Sequence, residues 1–299
     1  MYHYIIYGTH LVTDREFVQL VTADSTMAHS QDQITITQGM IPDSIRFDKT
    51  CYSKIHRDIS YLSNSTCYLY IEQGTRITYE LKDGASPELL NTYLLGWGMS
   101  ILFYQRDCIA IHCSCVANSR GAVLISGASG SGKSTVTSYL LEHNYRLLAD
   151  DMSIIKFSKE GTALAAPAFP YQKLCRNVVT DLNIPQDDLI YIDEDKDKFL
   201  VTYTGEFNVE AAPIRALILL SRNSSLSEVI CHEIKGVDKM HACISTLFLK
   251  PLLGSELYAP EIGSLCLKLA SMIPIYEIIR PTDKNTQEKI CDTIEKLLL

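Results

Sequence analysis

The first part of the chain alternates apolar and polar positions with the two-residue period of β-strands. Short segments of this kind occupy residues 4–7 and 34–37. A clearer pair, 67–71 and 76–81, alternates on both sides of a Gln-Gly step, which predicts a β-hairpin closed by a glycine turn. Residues 1–84 are therefore expected to form a small β-rich N-terminal domain.

From residue 85 onward, short apolar runs alternate with helical periods. A Ser-Pro step at residue 86 is typical of a helix start, and the strongly apolar segment 88–104 predicts a buried helix. The predicted strands are 108–116, 121–126, 145–149, 214–221 and 274–279. The predicted helices are 135–143, 239–249, 260–271 and a final helix with Ile290, Ile294 and Leu297 on one face. Residues 85–299 are therefore expected to form an α/β domain.

Composition narrows the class of protein. Of 299 residues, 46% are hydrophobic and 21% are charged, which provides enough apolar material for a substantial core. The net charge of −8 argues against a protein that coats nucleic acid by neutralising its phosphates. No apolar run reaches the roughly 18 residues of a membrane-spanning helix, and the first residues lack the features of a signal peptide. We therefore expect a cytoplasmic protein with no nucleic-acid or membrane partner.

The ten cysteines are scattered singly along the chain. This spacing predicts free, mostly buried thiols and no disulfide framework. Cys113 and Cys115 stand beside His112, a grouping that also occurs in metal sites, but no second Cys/His pair at zinc-site spacing accompanies it. Because alternate residues of a strand face the same layer, both cysteines are interpreted as core residues.

The most specific motif lies between the predicted strand 121–126 and the helical segment 135–143. Residues 127–134 read Gly-Ala-Ser-Gly-Ser-Gly-Lys-Ser and match the phosphate-loop pattern G-x-x-x-x-G-K-[ST]. In that pattern the backbone N–H groups surround phosphate oxygens, Lys133 reaches the β- and γ-phosphates, and the Ser134 hydroxyl ligates Mg²⁺. The residues expected to bind the nucleotide are Gly127, Ser129, Gly130, Ser131, Gly132, Lys133, Ser134 and Thr135. The alternative is a flexible glycine-serine turn without a ligand.

Two adjacent carboxylates, Asp150 and Asp151, follow the predicted strand 145–149. Carboxylates at such a strand end, near a phosphate loop, commonly meet the Mg²⁺ that bridges nucleotide phosphates. One of the two can also accept a proton from an attacking hydroxyl. A turn or a helix cap is the alternative interpretation. His112 precedes the loop strand, and by spacing alone a lone histidine on an apolar strand is usually a core residue.

Three segments together resemble the HPr kinase/phosphorylase family. They are Ile-His-Cys-Ser at 111–114, the loop with its strand at 122–134, and Tyr-Arg-Leu-Leu-Ala-Asp-Asp at 145–151, in the family's order and at similar spacing. The resemblance implies an α/β fold with the P-loop nucleotide-binding core of the HPr kinase and PEP carboxykinase type. The smaller β-rich N-terminal part would precede that core.

The resemblance also implies roles for individual residues. Lys133 and Ser134 would bind the nucleotide phosphates and Mg²⁺. Asp150 and Asp151 would divide proton abstraction and metal binding between them, and we favour Asp150 as the base and Asp151 as the metal partner. His112 would belong to the active site.

Outside these segments the likeness is looser. Related proteins share a Pro-x-x-Lys/Arg-Leu segment, here at 170–174, and a Pro-hydrophobic-Tyr strand near the end. The chain lacks the arginine-rich signature with which HPr kinases grip their protein substrate, as well as their N-terminal regulatory domain, so the resemblance does not imply HPr as the acceptor. Candidates for stabilising the transferred charge, against a solvated surface position for each, are Lys173, Arg176, Lys198 and Arg222.

The predicted function is an ATP- and Mg²⁺-dependent kinase that transfers the γ-phosphate to a hydroxyl. The favoured acceptor is a serine of a peptide or protein. Two alternatives stay open: a nucleotide-binding regulator or scaffold without turnover, and a kinase of a small metabolite such as free serine or a sugar alcohol. Because the resembled family forms oligomers, a homo-oligomer is a further expectation.

Overall fold

The computed structural model describes residues 1–23, 32–46, 52–181, 183–185, 189–193, 197–253 and 260–298. Within these ranges the chain has a mixed α/β fold with three β-sheets. Among the same residues, no helix combines the length and the apolar character needed to cross a bilayer.

The first of these sheets takes up the beginning of the chain. Its described strands are β1 (Tyr2–Ile6), β2 (Thr9–Thr13), β3 (Val21–Thr22), β4 (Gln33–Gln38), β5 (Tyr52–Lys54), β6 (Ile59–Ser63), β7 (Cys67–Glu72) and β8 (Arg76–Leu81), in the order β3-β1-β2-β4-β8-β7-β6-β5. A short helix, α1 (Asp43–Arg46), lies between β4 and β5. The predicted hairpin is confirmed, because β7 and β8 pair antiparallel across a three-residue connection, 73–75, in which Gln73 and Gly74 both have positive φ.

A buried helical segment follows the first sheet. It comprises α2 (Pro87–Tyr93), a π-helical stretch (Leu94–Gly98) and α3 (Met99–Tyr104), which confirms the helix predicted at 88–104. Ser86 caps its start, since its Oγ accepts hydrogen bonds from the N–H groups of Glu88 and Leu89. Together with strands of the first sheet, the segment packs into the apolar core that continues into the rest of the chain.

The remaining strands form two sheets. They are β9 (Ile109–Ile111), β10 (Ser114–Asn118), β11 (Gly121–Gly127), β12 (Arg146–Ala149), β13 (Ser153–Phe157), β14 (Ala163–Ala166), β15 (Tyr171–Cys175), β16 (Leu189–Asp193), β17 (Lys198–Thr202), β18 (Ala212–Asn223), β19 (Ile230–Ile234) and β20 (Ile275–Pro281). The central sheet runs β12-β10-β11-β18-β14-β13-β9, with β20 beside β18 and β19 beside β20. Strands β11, β18 and β20 are parallel neighbours, so their carboxyl ends meet at one edge. A small sheet in the order β15-β17-β16 stands apart.

The helices of this part lie between those strands. They are α4 (Lys133–Glu142), α5 (Arg176–Asp181), α6 (Val237–Ser245), α7 (Lys250–Leu253), α8 (Pro260–Met272) and α9 (Gln287–Leu297). Helices α4 and α9 pack on one side of the central sheet in a second apolar cluster. The predicted face of the final helix is confirmed: Ile290 and Ile294 are buried in this cluster, and Leu297 packs against it.

Two predicted elements are wrong in extent, for one shared reason. The strand predicted at 108–116 is two strands, because β9 pairs with β13 whereas β10 pairs with β11 and β12, and the chain breaks at His112 to change partners. The helix predicted at 239–249 stops at Ser245, because the next residues run beside β9 instead. There the Phe248 N–H donates to the Ala110 carbonyl, and the His112 N–H donates to the Thr246 carbonyl.

The described cysteines are free thiols. Cys113 and Cys115 are fully buried, as the core interpretation predicts. Burial raises the pKa of the Cys113 thiol to about 12, which keeps it protonated and apolar at neutral pH.

Candidate active site

The glycine loop (residues 127–134) connects β11 to α4. Backbone conformation and close neighbours explain why glycine stands at its turning positions. Gly127 has a φ of 152°, and a Cβ built on it would lie 2.3 Å from the carbonyl oxygen of Leu220 on the neighbouring strand β18. Gly130 and Gly132 also have positive φ. Side chains are therefore excluded where the loop turns out of the sheet.

The first turn of α4 has no side-chain cap. Gly132 occupies the cap position in a left-handed conformation and, as a glycine, provides no side chain to accept a hydrogen bond from the N–H groups that follow. Those N–H groups and the helix dipole make this end of α4 suited to an anion. Ser134 is half-buried in this turn, whereas Ser129 and Thr135 are exposed. The buried Ser131 hydroxyl has no hydrogen-bond partner within the described residues.

Lys133 folds back over the loop. Its Nζ donates to the carbonyl of Gly127 at 2.5 Å. Burial and the nearby charge of Lys198 lower the pKa of Lys133, while Asp150 and Asp151 act in the opposite direction. The loop lysine, a second lysine and both carboxylates thus share one electrostatic neighbourhood.

Two arginines flank the loop from the carboxyl ends of the parallel strands. Arg222 on β18 and Arg280 on β20 are register partners. Arg280 Nε donates to the Ser131 carbonyl at 3.0 Å and so holds the loop in place. A Cβ built on Gly130 would lie 3.5 Å from Arg222 Nη2, so that guanidinium lies against the loop. Sequence reasoning named Arg222 but missed Arg280, whose position at a parallel strand end was the available signal.

Asp150 is held by two neutral donors. Its Oδ1 accepts a hydrogen bond from Ser114 Oγ at 2.6 Å, and its Oδ2 accepts one from the Lys173 backbone N–H at 2.7 Å. The pairing of Cys115 with Ala149 between β10 and β12 sets Ser114 beside Asp150. Burial raises the pKa of Asp150, although both hydrogen bonds act to lower it. Ser114 is a contact that sequence reasoning missed, because it depends on strand register.

Asp151 is surrounded by basic groups instead. Its Oδ2 lies 2.8 Å from Lys173 Nζ, and its Oδ1 lies 3.8 Å from His112 Nδ1. Burial alone raises the pKa of Asp151, but Lys173, His112 and Lys198 outweigh it and hold the pKa well below its usual range. The residue has a φ of 68°, a left-handed conformation that aspartate tolerates.

His112 is brought to the carboxylates by the break between β9 and β10. Its Nδ1 lies 2.8 Å from the Asp151 carbonyl oxygen, and its ring lies 5.9 Å from that of Phe248. The Ser126 hydroxyl, immediately before the glycine loop, donates to the His112 carbonyl at 2.7 Å. The histidine therefore connects the loop strand to the carboxylate pair.

The basic candidates separate into two groups. Lys173 and Lys198, on β15 and β17, act on the carboxylates and the loop lysine. Arg176 is instead on the surface, where it pairs with the exposed Asp197 and lies over the ring of Phe199. For Arg176 the structure matches the surface interpretation.

The residues around the glycine loop suit a polyphosphate and a divalent cation. Arg222, Arg280 and Lys133 provide positive charge around a loop that has an uncapped helix start and an unpartnered buried hydroxyl. Within the part of the chain that the structure describes, no three His, Cys, Asp or Glu side chains gather to hold a metal by themselves. Mg²⁺ does not need such a cage, because it is usually held by one or two carboxylates together with substrate phosphates and water.

Comparisons with known proteins find similarity at the level of structure. No protein-family model and no curated protein matches the sequence. Among solved structures, the chain is similar to the Hpr(Ser) kinase/phosphatase from Coxiella burnetii, with a TM-score of 0.33 and 12% identity over 63% of this chain and 93% of that one. Evidence about function therefore comes from the residues of the site.

Proposed function

We propose that this protein is an ATP- and Mg²⁺-dependent kinase with an HPr-kinase-like P-loop core, and that it phosphorylates a serine hydroxyl of a peptide or protein. One observation carries the proposal: the glycine loop, the Asp150/Asp151 pair and Lys173 meet at one site. A phosphate-binding loop alone indicates only that a nucleotide is bound. A buried carboxylate pair with a lysine beside it adds the groups that phosphoryl transfer to a hydroxyl requires.

The donor side consists of the glycine loop and its basic neighbours. Backbone N–H groups of the loop and of the first turn of α4 would bind the phosphates of ATP. Lys133 would exchange its hydrogen bond to the Gly127 carbonyl for the β- and γ-phosphates. Lys173 and Lys198 would then stabilise the charge of the transferred group.

The metal would be held by Ser134 and Asp151. The Asp151 Oδ1 is the oxygen that Lys173 leaves open, since the ammonium lies on Oδ2. When bound, Mg²⁺ would neutralise phosphate charge and orient the γ-phosphate for in-line attack. The neighbouring lysines would keep Asp151 ionised for this purpose.

Asp150 would act as the base toward the acceptor hydroxyl. A carboxylate has about four lone-pair sites, and Ser114 and the Lys173 N–H occupy two of them. The other lone pairs stay available to a hydroxyl, and the two fixed hydrogen bonds orient the carboxylate. The acceptor proton would pass to Asp150 as its oxygen attacks the γ-phosphate.

Transfer of labelled γ-phosphate to different acceptors tests the proposal. The protein is incubated with labelled ATP and Mg²⁺ in three mixtures: serine-containing peptides, free serine with sugar alcohols, and no acceptor. We expect label on peptide serine, and none there for the Lys133→Met variant. Label on the small compounds alone would favour a metabolite kinase. Tight nucleotide binding without transfer in any mixture would contradict kinase activity and favour a regulator.

A further inference from the structure

A cleft lined by residues other than those of the glycine loop reaches the carboxylate pair. Asp150, Asp151 and Lys173 are among the residues that line it. A group bound in this cleft would thus have direct access to the carboxylate pair.

Two different parts of the fold form the two walls of the cleft. One wall comes from the first sheet region and helix α2, through residues such as Val18, Gln19 and Thr92. The other comes from the small sheet, through strand β16 and Leu200 of β17. The Tyr171 hydroxyl on β15 donates to the Val18 carbonyl at 3.5 Å, which connects the two walls.

The mouth of the cleft exposes large apolar side chains. Val18 is 62% exposed, Ile190 39% and Tyr191 41%, and all three line the cleft. Exposed apolar groups gathered around a concave site indicate a ligand with apolar parts. A free serine or a sugar alcohol offers no such parts, whereas a peptide with apolar side chains next to its hydroxyl residue does.

Strand β16 also offers a backbone edge. In the described part of the small sheet, β16 is an outer strand that pairs with β17 and lies near α2, and its residues Ile190, Tyr191 and Ile192 line the cleft. An unpaired strand edge can add an extended peptide through main-chain hydrogen bonds, while pockets beside it select side chains.

We propose that this cleft binds the phosphate acceptor as an extended peptide laid along β16, with an apolar residue adjacent to the hydroxyl residue. The apolar neighbour contacts Val18 and Ile190, and the hydroxyl residue points to Asp150. This assignment rests on the proposed kinase function, but it makes a separate claim about what the cleft selects.

Two short synthetic peptides and one matched pair of variants test the assignment. The peptides are Gly-Gly-Leu-Ser-Leu-Gly-Gly and Gly-Gly-Asn-Ser-Asn-Gly-Gly, each also made with alanine in place of serine to measure binding without transfer. The variants are Val18→Asn in the cleft and Val237→Asn, a valine of similar exposure (66%) outside the residues that line it. The full chain is used throughout.

We expect the leucine peptide to be bound and phosphorylated at least about tenfold better than the asparagine peptide, as burial of a leucine side chain implies. Val18→Asn should reduce that preference about fivefold, and Val237→Asn should leave it unchanged. Phosphorylation of both peptides with equal efficiency would overturn the cleft assignment and leave the kinase proposal standing. Preferential binding of the leucine-alanine peptide without any phosphorylation would support the cleft and contradict the kinase. Binding of neither peptide, or equal effects of the two variants, would overturn the assignment.

Discussion

Asp150 and Asp151 are neighbours in sequence with opposite electrostatic environments. Asp150 meets a hydroxyl and a backbone N–H in a buried position, whereas Asp151 meets a lysine and a histidine. The left-handed backbone at Asp151 turns the chain between the two, so that adjacent side chains reach different partners. Two carboxylates whose environments differ in this way are suited to different tasks in one reaction.

The ion pair between Lys173 and Asp151 is expected to stabilise the folded protein. Both side chains are largely buried, at 18% and 17% exposure, so Lys173→Met leaves a buried carboxylate without its main partner. We expect a loss of about 2–4 kcal/mol in the free energy of unfolding at pH 7, measured by urea denaturation. Because Lys173 lowers the folded-state pKa of Asp151, its stabilisation is complete above the unfolded pKa of about 3.9. It is lost progressively as pH falls from there through the lower folded-state pKa.

The matched control for this prediction is Arg176→Met. Arg176 also forms an ion pair with an aspartate, Asp197, but both side chains are exposed. An exposed pair contributes little, so this variant should change stability by less than about 1 kcal/mol at any pH. Equal losses of stability in the two variants at pH 7 would contradict the role given to Lys173.

Whether a site residue could be recognised from the sequence depended on how far along the chain its partners lie. The glycine loop and the aspartate pair were recognisable because each is a continuous stretch of sequence whose residue types have direct chemical meaning. Ser114 was not recognised as a partner of Asp150, because that contact exists only in the register of β10 against β12. The catalytic and binding roles of the loop and carboxylate residues stay predictions.

At the scale of elements, the parallel strands β11, β18 and β20 organise the donor side. Their carboxyl ends bring the glycine loop, Arg222 and Arg280 to the same edge of the central sheet. Arg280 is fixed to the loop by its hydrogen bond to the Ser131 carbonyl. A strand far along the chain therefore holds the shape of the loop.

Arg280→Met should weaken nucleotide binding without unfolding the protein. The variant removes one anchor and one positive charge beside the loop, so we expect the Kd for Mg²⁺-ADP to rise about tenfold in calorimetry. Arg215→Met is the matched control, because Arg215 lies near the start of β18 and its Nε also donates to a backbone carbonyl, that of Arg120. Equal effects of the two variants on the Kd would show that Arg280 has no special connection to the loop.

Helices and strands could be predicted from the sequence where the residues that fix them are close together in the chain. The β7–β8 hairpin and the capped helical segment were predicted because their turn and cap residues lie within the elements themselves. The strand predicted at 108–116 was wrong because one apolar run serves two sets of sheet neighbours and breaks at His112. Strands β13 to β17 were not predicted, since short segments of this kind are fixed by tertiary pairing more than by their own pattern.

At the scale of the whole molecule, the site lies where several parts of the fold meet. The central sheet provides the loop and the carboxylates, and the small sheet provides Lys173 and Lys198. The first sheet region and α2 complete the cleft. The division into domains 1–84 and 85–299 stays a prediction, and the apolar core runs continuously between the two parts.

Nucleotide binding should stabilise the folded molecule. Mg²⁺-ADP at about 100 times its Kd is expected to add about 2.7 kcal/mol to the free energy of unfolding, seen as a higher Tm in thermal melts. Lys133→Met should abolish this shift. Lys159→Met, which replaces an exposed lysine in the turn between β13 and β14, should retain it. A shift of the same size in Lys133→Met would contradict a phosphate-binding role for the glycine loop.

The central claim is that the glycine loop and Asp150 belong to one phosphoryl-transfer site. Single-turnover transfer of labelled γ-phosphate to peptide serine, measured for the wild type and for Asp150→Asn on samples whose Mg²⁺-ADP affinity is also determined, tests it most directly. The account predicts similar affinity for both proteins and transfer at least about a hundredfold slower in the variant, because the base is lost while the donor site remains. Transfer at equal rates, or no transfer by the wild type, would contradict it.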